Sequence, residues 1–358
     1  MAPPNKAAWE ATFFFVWRHL GRWPPRREPK MSEGRMESGS LDLRSLVDGL
    51  SAAELDELRD AVASRLCREK YGADTIEGLL LKWGRDPRCP ECGAEVPWSD
   101  GSNGARPRFR CPACGARFGL LTGTVFANAK LPLHKIMRIV EVMCHNASLR
   151  LIELTCEVSH STAFLWRHKV FSTVSGWQDK VVLSGRVWID EMYFEDTRVG
   201  HEPGAPRKRG LSKDKVCVVV AIDSSKRAMA VASENGKPST KRINKALKAH
   251  IERGSTIVHD CEKAHNALVR DLGLVDERYK AVTTDPVYLE QMALVNHLCS
   301  WIRRYVERFA CMRSENLQAY LDWFVYLHRV HRDEDKWPVE ERVVRHLALS
   351  NGTYLRRW

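Results

Sequence analysis

The 358-residue sequence lacks any apolar run long enough to cross a bilayer. Its most apolar N-terminal stretch, Phe13-Phe14-Phe15-Val16-Trp17, is flanked by charges, and a membrane helix needs about 20 apolar residues. No secretory signal peptide is recognisable either. These absences exclude a membrane-spanning segment and predict a cytoplasmic protein.

Acidic residues are fewer than basic ones, 45 against 56, which gives a formal net charge of +11 and a pI of about 9.2. A basic balance of this size favours an anionic partner, and nucleic acid is the usual one. The alternative is a basic protein with no such partner. Charge alone does not separate the two.

Cysteines are present in an odd number, eleven, which is typical of a reduced protein rather than a disulfide framework. Seven of them are scattered. The other four form two Cys-x-x-Cys pairs, Cys89 with Cys92 and Cys111 with Cys114, each followed by glycine. Four thiolates in tight turns match a closed, tetrahedral Zn²⁺ site. The alternative is two disulfides.

The chain divides by composition into six segments. Residues 1–40 are rich in proline and charge and are expected to be disordered or a mis-called N-terminal extension, with Met31 and Met36 as alternative starts. The expected segments that follow are a helical segment at 41–84, a zinc ribbon at 85–125, a helix-turn-helix at 131–176, an α/β domain at 184–330 and a C-terminal tail at 331–358.

Residues 131–174 show the long-short-turn-helix rhythm of a helix-turn-helix. Its third helix, expected at 159–174, would present polar side chains to DNA. The candidate contacts are Thr162, Arg167, His168 and Lys169, with His160 beside them. The alternative is an ordinary helical bundle without a DNA-binding role.

Residues 184–330 alternate between strand and helix patterns. We predict strands at 186–194, 215–223, 228–233, 255–260 and 279–282, with helices at 239–253, 262–272 and 287–309. Three consecutive strands followed by alternating helices and strands is the order of an RNase H-like α/β fold. A glycine-containing basic loop between the first two strands carries Arg207, Lys208 and Arg209, which suit phosphate contact.

Two aspartates interrupt apolar strands in this region. Asp190 and Glu191 lie within a β-prone run, and Asp260 ends another. Burying a carboxylate is costly unless it is paired, so these positions predict a carboxylate metal site, with an ion pair to a nearby Arg as the alternative for Asp190. Because side chains alternate along a strand, Glu191 faces away from Asp190 and is expected to orient a neighbour or form a salt bridge.

Several of these sequence motifs occur in an order that resembles bacterial insertion-sequence transposases of the DDE type. Among these, the sequence is most similar to the ISXO2-like group with an N-terminal zinc ribbon. The resemblance covers about residues 75–330. It rests on the two Cys pairs and on residues 162–168, 187–191, 207–212, 257–260 and 295–305.

The resemblance implies an RNase H-like (DDE integrase-type) core that holds catalytic Mg²⁺, or Mn²⁺ in its place. Asp190 and Asp260 match the first two metal-holding positions. The third holds Asn296 instead of the Glu of many relatives, and Arg303 stands seven positions on where Lys is usual. The alternative for Asn296 is a helix cap or a core hydrogen bond.

The function implied is a transposase that binds transposon-end DNA and carries out metal-dependent strand cleavage and transfer. Its expected partners are double-stranded DNA, as transposon inverted repeats and as target, and further copies of itself in a dimer or higher oligomer, in a nucleoid-associated bacterial setting. Two alternatives remain: a catalytically inactive zinc-ribbon DNA-binding protein, and a nuclease that hydrolyses without joining.

Overall fold

The computed structural model describes residues 43–104, 106–199, 213–282, 284–309, 312–333, 335 and 337–352. The predictions for residues 1–40 and for Arg207, Lys208 and Arg209 therefore lie outside the described residues. The chain divides into two compact units, Met1–Asp56 and Glu57–Trp358. None of the helices in these ranges is long and apolar enough to cross a membrane.

The described part of the first unit is helical. Helix α1 spans Leu43–Asp48, and helix α2, Ala52–Tyr71, begins in this unit and continues into the second. The start of α2 carries the capping box that the sequence predicts. The Ser51 N–H donates to Glu54 Oε2 at 2.7 Å, and the Glu54 N–H donates to Ser51 Oγ at 3.4 Å.

The second unit continues with helix α3, Ile76–Lys82, and a three-stranded antiparallel sheet. Its strands are β1 Trp98–Asn103, β2 Arg106–Arg110 and β3 Arg117–Gly119. This sheet is small, and only a few side chains such as Phe118 are buried in it. A module with so little apolar core depends on another source of stability.

Three helices follow, in the positions expected from the sequence: α4 Leu133–Cys144, α5 Leu149–Cys156 and α6 His160–Ser172. Ser148 and Ser159 cap α5 and α6 by accepting backbone N–H groups of the first turn. The apolar faces of all three join the main core. That these helices act as a helix-turn-helix on DNA stays a prediction.

A five-stranded mixed sheet forms the centre of the unit. Its strands are β4 Arg186–Glu195, β5 Lys215–Asp223, β6 Ala228–Asn235, β7 Thr256–His259 and β8 Val275–Arg278. Their order across the sheet is β6-β5-β4-β7-β8, with β4, β7 and β8 parallel and β5 antiparallel to both of its neighbours. The mixed α/β architecture and the chain order fit the predicted RNase H-like fold.

Helices cover both faces of this sheet, which explains why β5 is buried along almost its whole length. One face packs against α7 Thr240–Leu247 and α8 Asn266–Leu272. The other packs against α10 Ala293–Glu307 and α11 Leu317–Arg332, which connect it to the helices α4–α6. Helices α9 Pro286–Gln291 and α12 Val339–Leu349 complete the described elements.

Several elements differ from the prediction. The helix expected at 239–253 ends at Leu247, and the α-helix expected at 262–272 begins at Asn266. The fifth strand is Val275–Arg278 rather than 279–282, because it is this segment that pairs with β7, from Thr256↔Val275 to His259↔Arg278. The helix expected at 287–309 breaks at Met292 into α9 and α10. The region treated as a C-terminal tail contains α12, whose apolar face is buried in the main core.

The DNA-facing role predicted for the third helix does not agree with the burial of α6. Arg167 and His168 are 2% and 3% exposed. The Arg167 guanidinium donates to the Ala147 carbonyl oxygen at 2.5 Å and stacks 4.9 Å from the Phe309 ring. Lys169 is half-buried, and its ammonium donates to the Ala127 carbonyl oxygen at 2.8 Å. Of the residues predicted to face DNA on this helix, His160 and Thr162 lie in its first turn, where His160 is exposed and Thr162 is half-buried.

We expect Arg167→Ala to lower the free energy of unfolding by about 3 kcal/mol or more, because it opens a cavity and leaves a buried carbonyl oxygen without its hydrogen-bond donor. Chemical denaturation of the purified protein measures this loss. Arg150→Ala on the exposed side of α5 is the matched control, and its effect should stay within about 0.5 kcal/mol. Equal stability of the two variants would contradict a core role for Arg167.

Candidate active site

The pairing of β4 with β7 brings the two predicted metal-binding aspartates together. The strands are parallel, with Arg186↔Thr256, Val187↔Ile257 and Trp188↔Val258 as partners. Extending this register by two residues places Asp190 beside Asp260, with Cα atoms about 5 Å apart. Trp188 and Val258 share the face that packs against α10, so both carboxylates start from that face.

Asp190 is half-buried in an environment that disfavours its charge. Burial, together with the neighbouring charges of Glu191 and Asp260, raises the pKa of Asp190 to about 7. Two hydrogen bonds oppose this effect: the Glu191 N–H donates to Oδ1 at 2.8 Å, and the Cys299 thiol lies 3.8 Å from Oδ2. A dication would relieve the same cost by neutralising the carboxylate.

Asp260 stands where β7 ends in a tight turn. Its Oδ1 accepts the Glu262 N–H at 3.2 Å, and Cys261 has a φ of +73°, an uncommon conformation for a residue with a side chain. Tyr288 on α9 lies near both aspartates. Burial and then the charges of the two aspartates raise the pKa of Tyr288. The sequence analysis did not single out Tyr288, and no periodic signal marks it.

Helix α10 carries the remaining predicted residues past this pair. Among the described residues, Cys299 is the residue of α10 whose side chain hydrogen-bonds to Asp190. Asn296 is half-buried one turn earlier, and it is not a helix cap, because Met292 and Arg308 cap this helix. Arg303 is exposed further along, with its guanidinium 5.9 Å from the Phe194 ring.

The chemistry of this donor set fits a hard divalent ion. Two convergent carboxylates supply charged oxygens, and Asn296 would add a neutral one. Over seven residues α10 rises about 10 Å, so Arg303 lies beyond the reach of an ion shared with Asn296. Glu307 and Glu290 are both exposed, the first further along α10 and the second on α9.

Glu191 faces the opposite side of the sheet, as predicted from the alternation along β4, and its neighbour there is a histidine. The carboxylate lies 2.7 Å from His265 Nε2, and both side chains are buried. His265 Nδ1 lies 3.0 Å from His259 Nδ1, and His259 Nε2 lies 3.0 Å from Asp276. No pattern in the sequence predicts that these four side chains lie in one buried row.

The second site brings the four paired cysteines together. All four sulfur atoms lie within 4.8 Å of one another, and the Cys89–Cys114 and Cys92–Cys111 pairs are 3.5 Å apart. A disulfide needs about 2.05 Å, whereas sulfur atoms on one tetrahedral ion are about 3.8 Å apart. The cluster is therefore arranged to hold a metal ion, and the disulfide alternative does not fit.

Two matching turns produce this convergence. The Cys89 N–H donates to the Ala94 carbonyl, and the Cys111 N–H to the Ala116 carbonyl. Gly93 and Gly115 follow the pairs with φ of +75° and +76°, a backbone conformation that glycine adopts without strain. Backbone N–H groups of Cys114 and Ala113 help to lower the pKa of Cys111 to about 6, which favours the thiolate.

Comparison with known proteins identifies the α/β domain. Residues 182–328 match the family model of the ISXO2-like transposase domain, about two fifths of the chain. No curated protein matches the sequence.

Similar solved structures include a pre-cleavage Mos1 transpososome, at 13% identity over 61% of this chain and 79% of that one, with a TM-score of 0.20. The Mos1 mariner paired-end complex with Mn is similar at 15% identity over 53% and 75%, with a TM-score of 0.22. A simian T-cell lymphotropic virus intasome in complex with PP2A regulatory subunit B56 gamma is similar at 9% identity over 52% and 67%, with a TM-score of 0.27.

We expect Asp190→Asn to stabilise the metal-free fold above about pH 7. The folded-state pKa of about 7 lies above the ordinary Asp value of 3.8, so ionisation in the fold costs stability that is fully retained below about pH 4 and lost as the pH rises through 7. The advantage of the Asn variant should therefore grow over that window, to at most about 4 kcal/mol.

Denaturant unfolding in EDTA between pH 4 and 9 measures this advantage. The exposed carboxylate Asp86 provides the control, since Asp86→Asn at the surface should change the free energy of unfolding by no more than about 0.5 kcal/mol. A pH-independent effect of Asp190→Asn would show that Asp190 is not held in a charge-disfavouring site.

Proposed function

Because residues 182–328 carry an ISXO2-like transposase domain, we propose that this protein binds transposon-end DNA and catalyses metal-dependent strand cleavage and strand transfer. The observation that carries the proposal is the parallel pairing of β4 with β7 up to Trp188 and Val258, which supports a position of Asp190 beside Asp260 two residues further on. The family match supplies the class of reaction. The paired carboxylates are the proposed site of that reaction.

In this proposal Asp190 and Asp260 hold the catalytic Mg²⁺ or Mn²⁺, with the Asn296 oxygen as a weaker third ligand. Bound divalent ions would lower the pKa of an attacking hydroxyl and offset charge on the phosphate. A water oxygen would first bond to a phosphorus at the transposon end, and the broken P–O bond would leave a 3′-hydroxyl. The oxygen of that hydroxyl would then bond to a phosphorus of the target DNA, and the P–O bond broken there would release a 3′-hydroxyl of the target strand.

The protein's own residues divide the remaining tasks. Arg303 projects from α10 beyond the carboxylates, and its exposed guanidinium would meet a DNA phosphate rather than the ions. Because Asn296 brings no charge, two carboxylates would hold the ions without a third. Metal binding should therefore depend strongly on the phosphates of bound DNA.

DNA affinity would come from basic surfaces away from this site. In β2, Arg106, Arg108 and Arg110 are exposed on one face of the strand, while Pro107 and Phe109 lie on the other. A row of guanidinium groups at this spacing suits backbone phosphates. Arg207, Lys208 and Arg209 are proposed as further phosphate contacts, and Thr162 as a contact from the start of α6.

The four-cysteine cluster is proposed to hold structural Zn²⁺. A zinc ion would supply the stability that the three-stranded sheet lacks, and it would fix the β2 arginines in place.

We expect purified protein to contain about one zinc per chain at the cysteines. Cys92→Ser should remove it, and Cys261→Ser should not, because Cys261 is also exposed but lies outside the cluster. Metal analysis by mass spectrometry, combined with thiol titration, provides the measurement. Four oxidised, metal-free cysteines would contradict the assignment.

For the active site, we expect Asp190→Asn and Asp260→Asn to abolish cutting of a transposon-end duplex while leaving its binding intact, because the metals carry the chemistry and the basic surface carries the affinity. Asn296→Ala should lower the cutting rate, with partial recovery in excess Mg²⁺. Arg303→Lys should retain more activity than Arg303→Ala if charge near a phosphate is what matters.

Glu307→Gln is the control on the same helix, since Glu307 lies about 16 Å along the axis from Asn296 and should not affect cutting. Cleavage and strand-transfer assays with labelled duplexes, beside gel shifts, separate the alternatives. A wild-type protein that shifts DNA but never cuts it would instead be a DNA-binding protein without catalysis. Cutting without joined product would indicate a nuclease.

A further inference from the structure

The buried side chains behind Asp260 form an arrangement that the proposed catalytic pair does not use. Glu191, His265, His259 and Asp276 follow one another at 2.7, 3.0 and 3.0 Å. Both histidines have no exposed surface. Each presents Nε2 to a carboxylate, so each Nε2 carries a hydrogen and donates it outward. The two Nδ1 atoms are left facing each other.

That facing pair needs something between its lone pairs. A neutral imidazole with a hydrogen on Nε2 has none on Nδ1, so two neutral rings would oppose two lone pairs at 3.0 Å. Either one extra proton or a metal ion resolves the conflict.

The ring geometry distinguishes a shared proton from a bound metal ion, because the two set different distances between the ring centres. A straight N–H···N hydrogen bond would hold the ring centres about 5.3 Å apart at this nitrogen separation. Two Nδ1 atoms bound to one ion at about 2.05 Å would subtend about 94° and bring the ring centres to about 4.7 Å. The observed centres are 4.7 Å apart, with the ring planes at 84°. The rings converge on a common point.

A third donor, the Asp260 carboxylate, lies close to the two histidines. A carboxylate oxygen of Asp260 and one nitrogen of each histidine all lie within 4.8 Å of one another. Glu191 and Asp276 contact the outer Nε2 atoms of the two rings, while Asp190 lies near Asp260 and Glu262 lies near His265. The cations paired with them are Lys237 with Glu262 and Arg278 with Asp276, both on the outer side. More carboxylates than cations thus lie around the cluster.

We propose that His259 Nδ1, His265 Nδ1 and a carboxylate oxygen of Asp260 form a binding site for a first-row transition-metal dication such as Mn²⁺ or Zn²⁺. Imidazole nitrogen selects these ions over Mg²⁺. Glu191 and Asp276 orient the two rings through Nε2, the usual way in which a carboxylate supports a metal-binding histidine. The near-90° angle suits a six-coordinate ion completed by water.

This site goes beyond the proposed function, with which it shares Asp260. One oxygen of Asp260 would bind the ion beside the histidines, and the carboxylate would be fixed in the orientation in which its other oxygen faces Asp190. The ion would thereby tie the end of β7 to the start of α8 and to β4. Asp260 would then be positioned by a metal as well as by its turn.

Mn²⁺ binding to the full-length, zinc-loaded chain without DNA tests the proposal, because Mn²⁺ prefers nitrogen and oxygen donors to thiolates. Every sample carries Asp190→Asn, which removes a carboxylate of the catalytic pair and keeps all three proposed ligands. Electron paramagnetic resonance should then show one bound Mn²⁺. Adding His265→Gln should weaken its binding at least 10-fold, whereas adding His297→Gln, at an exposed histidine of α10, should not.

Electron spin echo spectroscopy of the same Asp190→Asn sample detects imidazole nitrogen bound to Mn²⁺ without altering either histidine, so a misfolded His265→Gln protein does not leave the question open. Nitrogen coupling supports the site. Its absence, or an unchanged Mn²⁺ affinity in a folded His265→Gln protein, overturns it. Because Asp190→Asn is expected to be inactive and no DNA is present, neither result depends on whether the protein cuts DNA.

Discussion

The constraint on which the site depends is the parallel register between β4 and β7. Strand pairing fixes Trp188 beside Val258, and two residues further each strand has reached an aspartate. The register therefore brings Asp260 near Asp190, at a place where burial disfavours the charge of Asp190. The raised pKa of Asp190 records that cost. A site that is unfavourable for bare carboxylates is favourable for a dication, which removes the charge without a proton.

Alternation along β4 gives its two adjacent acids different surroundings. Asp190 faces α10, where its contact is the thiol of Cys299, and Glu191 faces α8, where its contact is the ring of His265. The Asp190 carboxylate is the one proposed to bind divalent ions that enter from the solvent. The second is occupied with an internal partner. One strand thus separates a proposed reactive group from a supporting one across the thickness of a sheet.

The helices before the sheet are tied to it more closely than a detachable DNA-binding module would be. Arg167 on α6 reaches the aromatic ring of Phe309, just past the end of α10, and Tyr320 on α11 also stacks near it. A buried guanidinium is tolerated there because a carbonyl oxygen and two ring faces receive its charge. The likeness of this segment to a helix-turn-helix thus concerns the order and length of its helices, while Arg167 of its third helix packs in the core.

The sequence by itself determined the cysteine turns, the alternation that separates Asp190 from Glu191, the order of strands and helices and the two aspartates, because each depends on local spacing or on residues whose cost of burial is high. Tertiary structure alone decided that Arg167 and His168 point inward, that Cys299 hydrogen-bonds to Asp190, and that His259, Asp260 and His265 converge. Those outcomes depend on which helix face meets which partner, and on strands that pair across long stretches of chain. Periodicity within one segment carries no information about either.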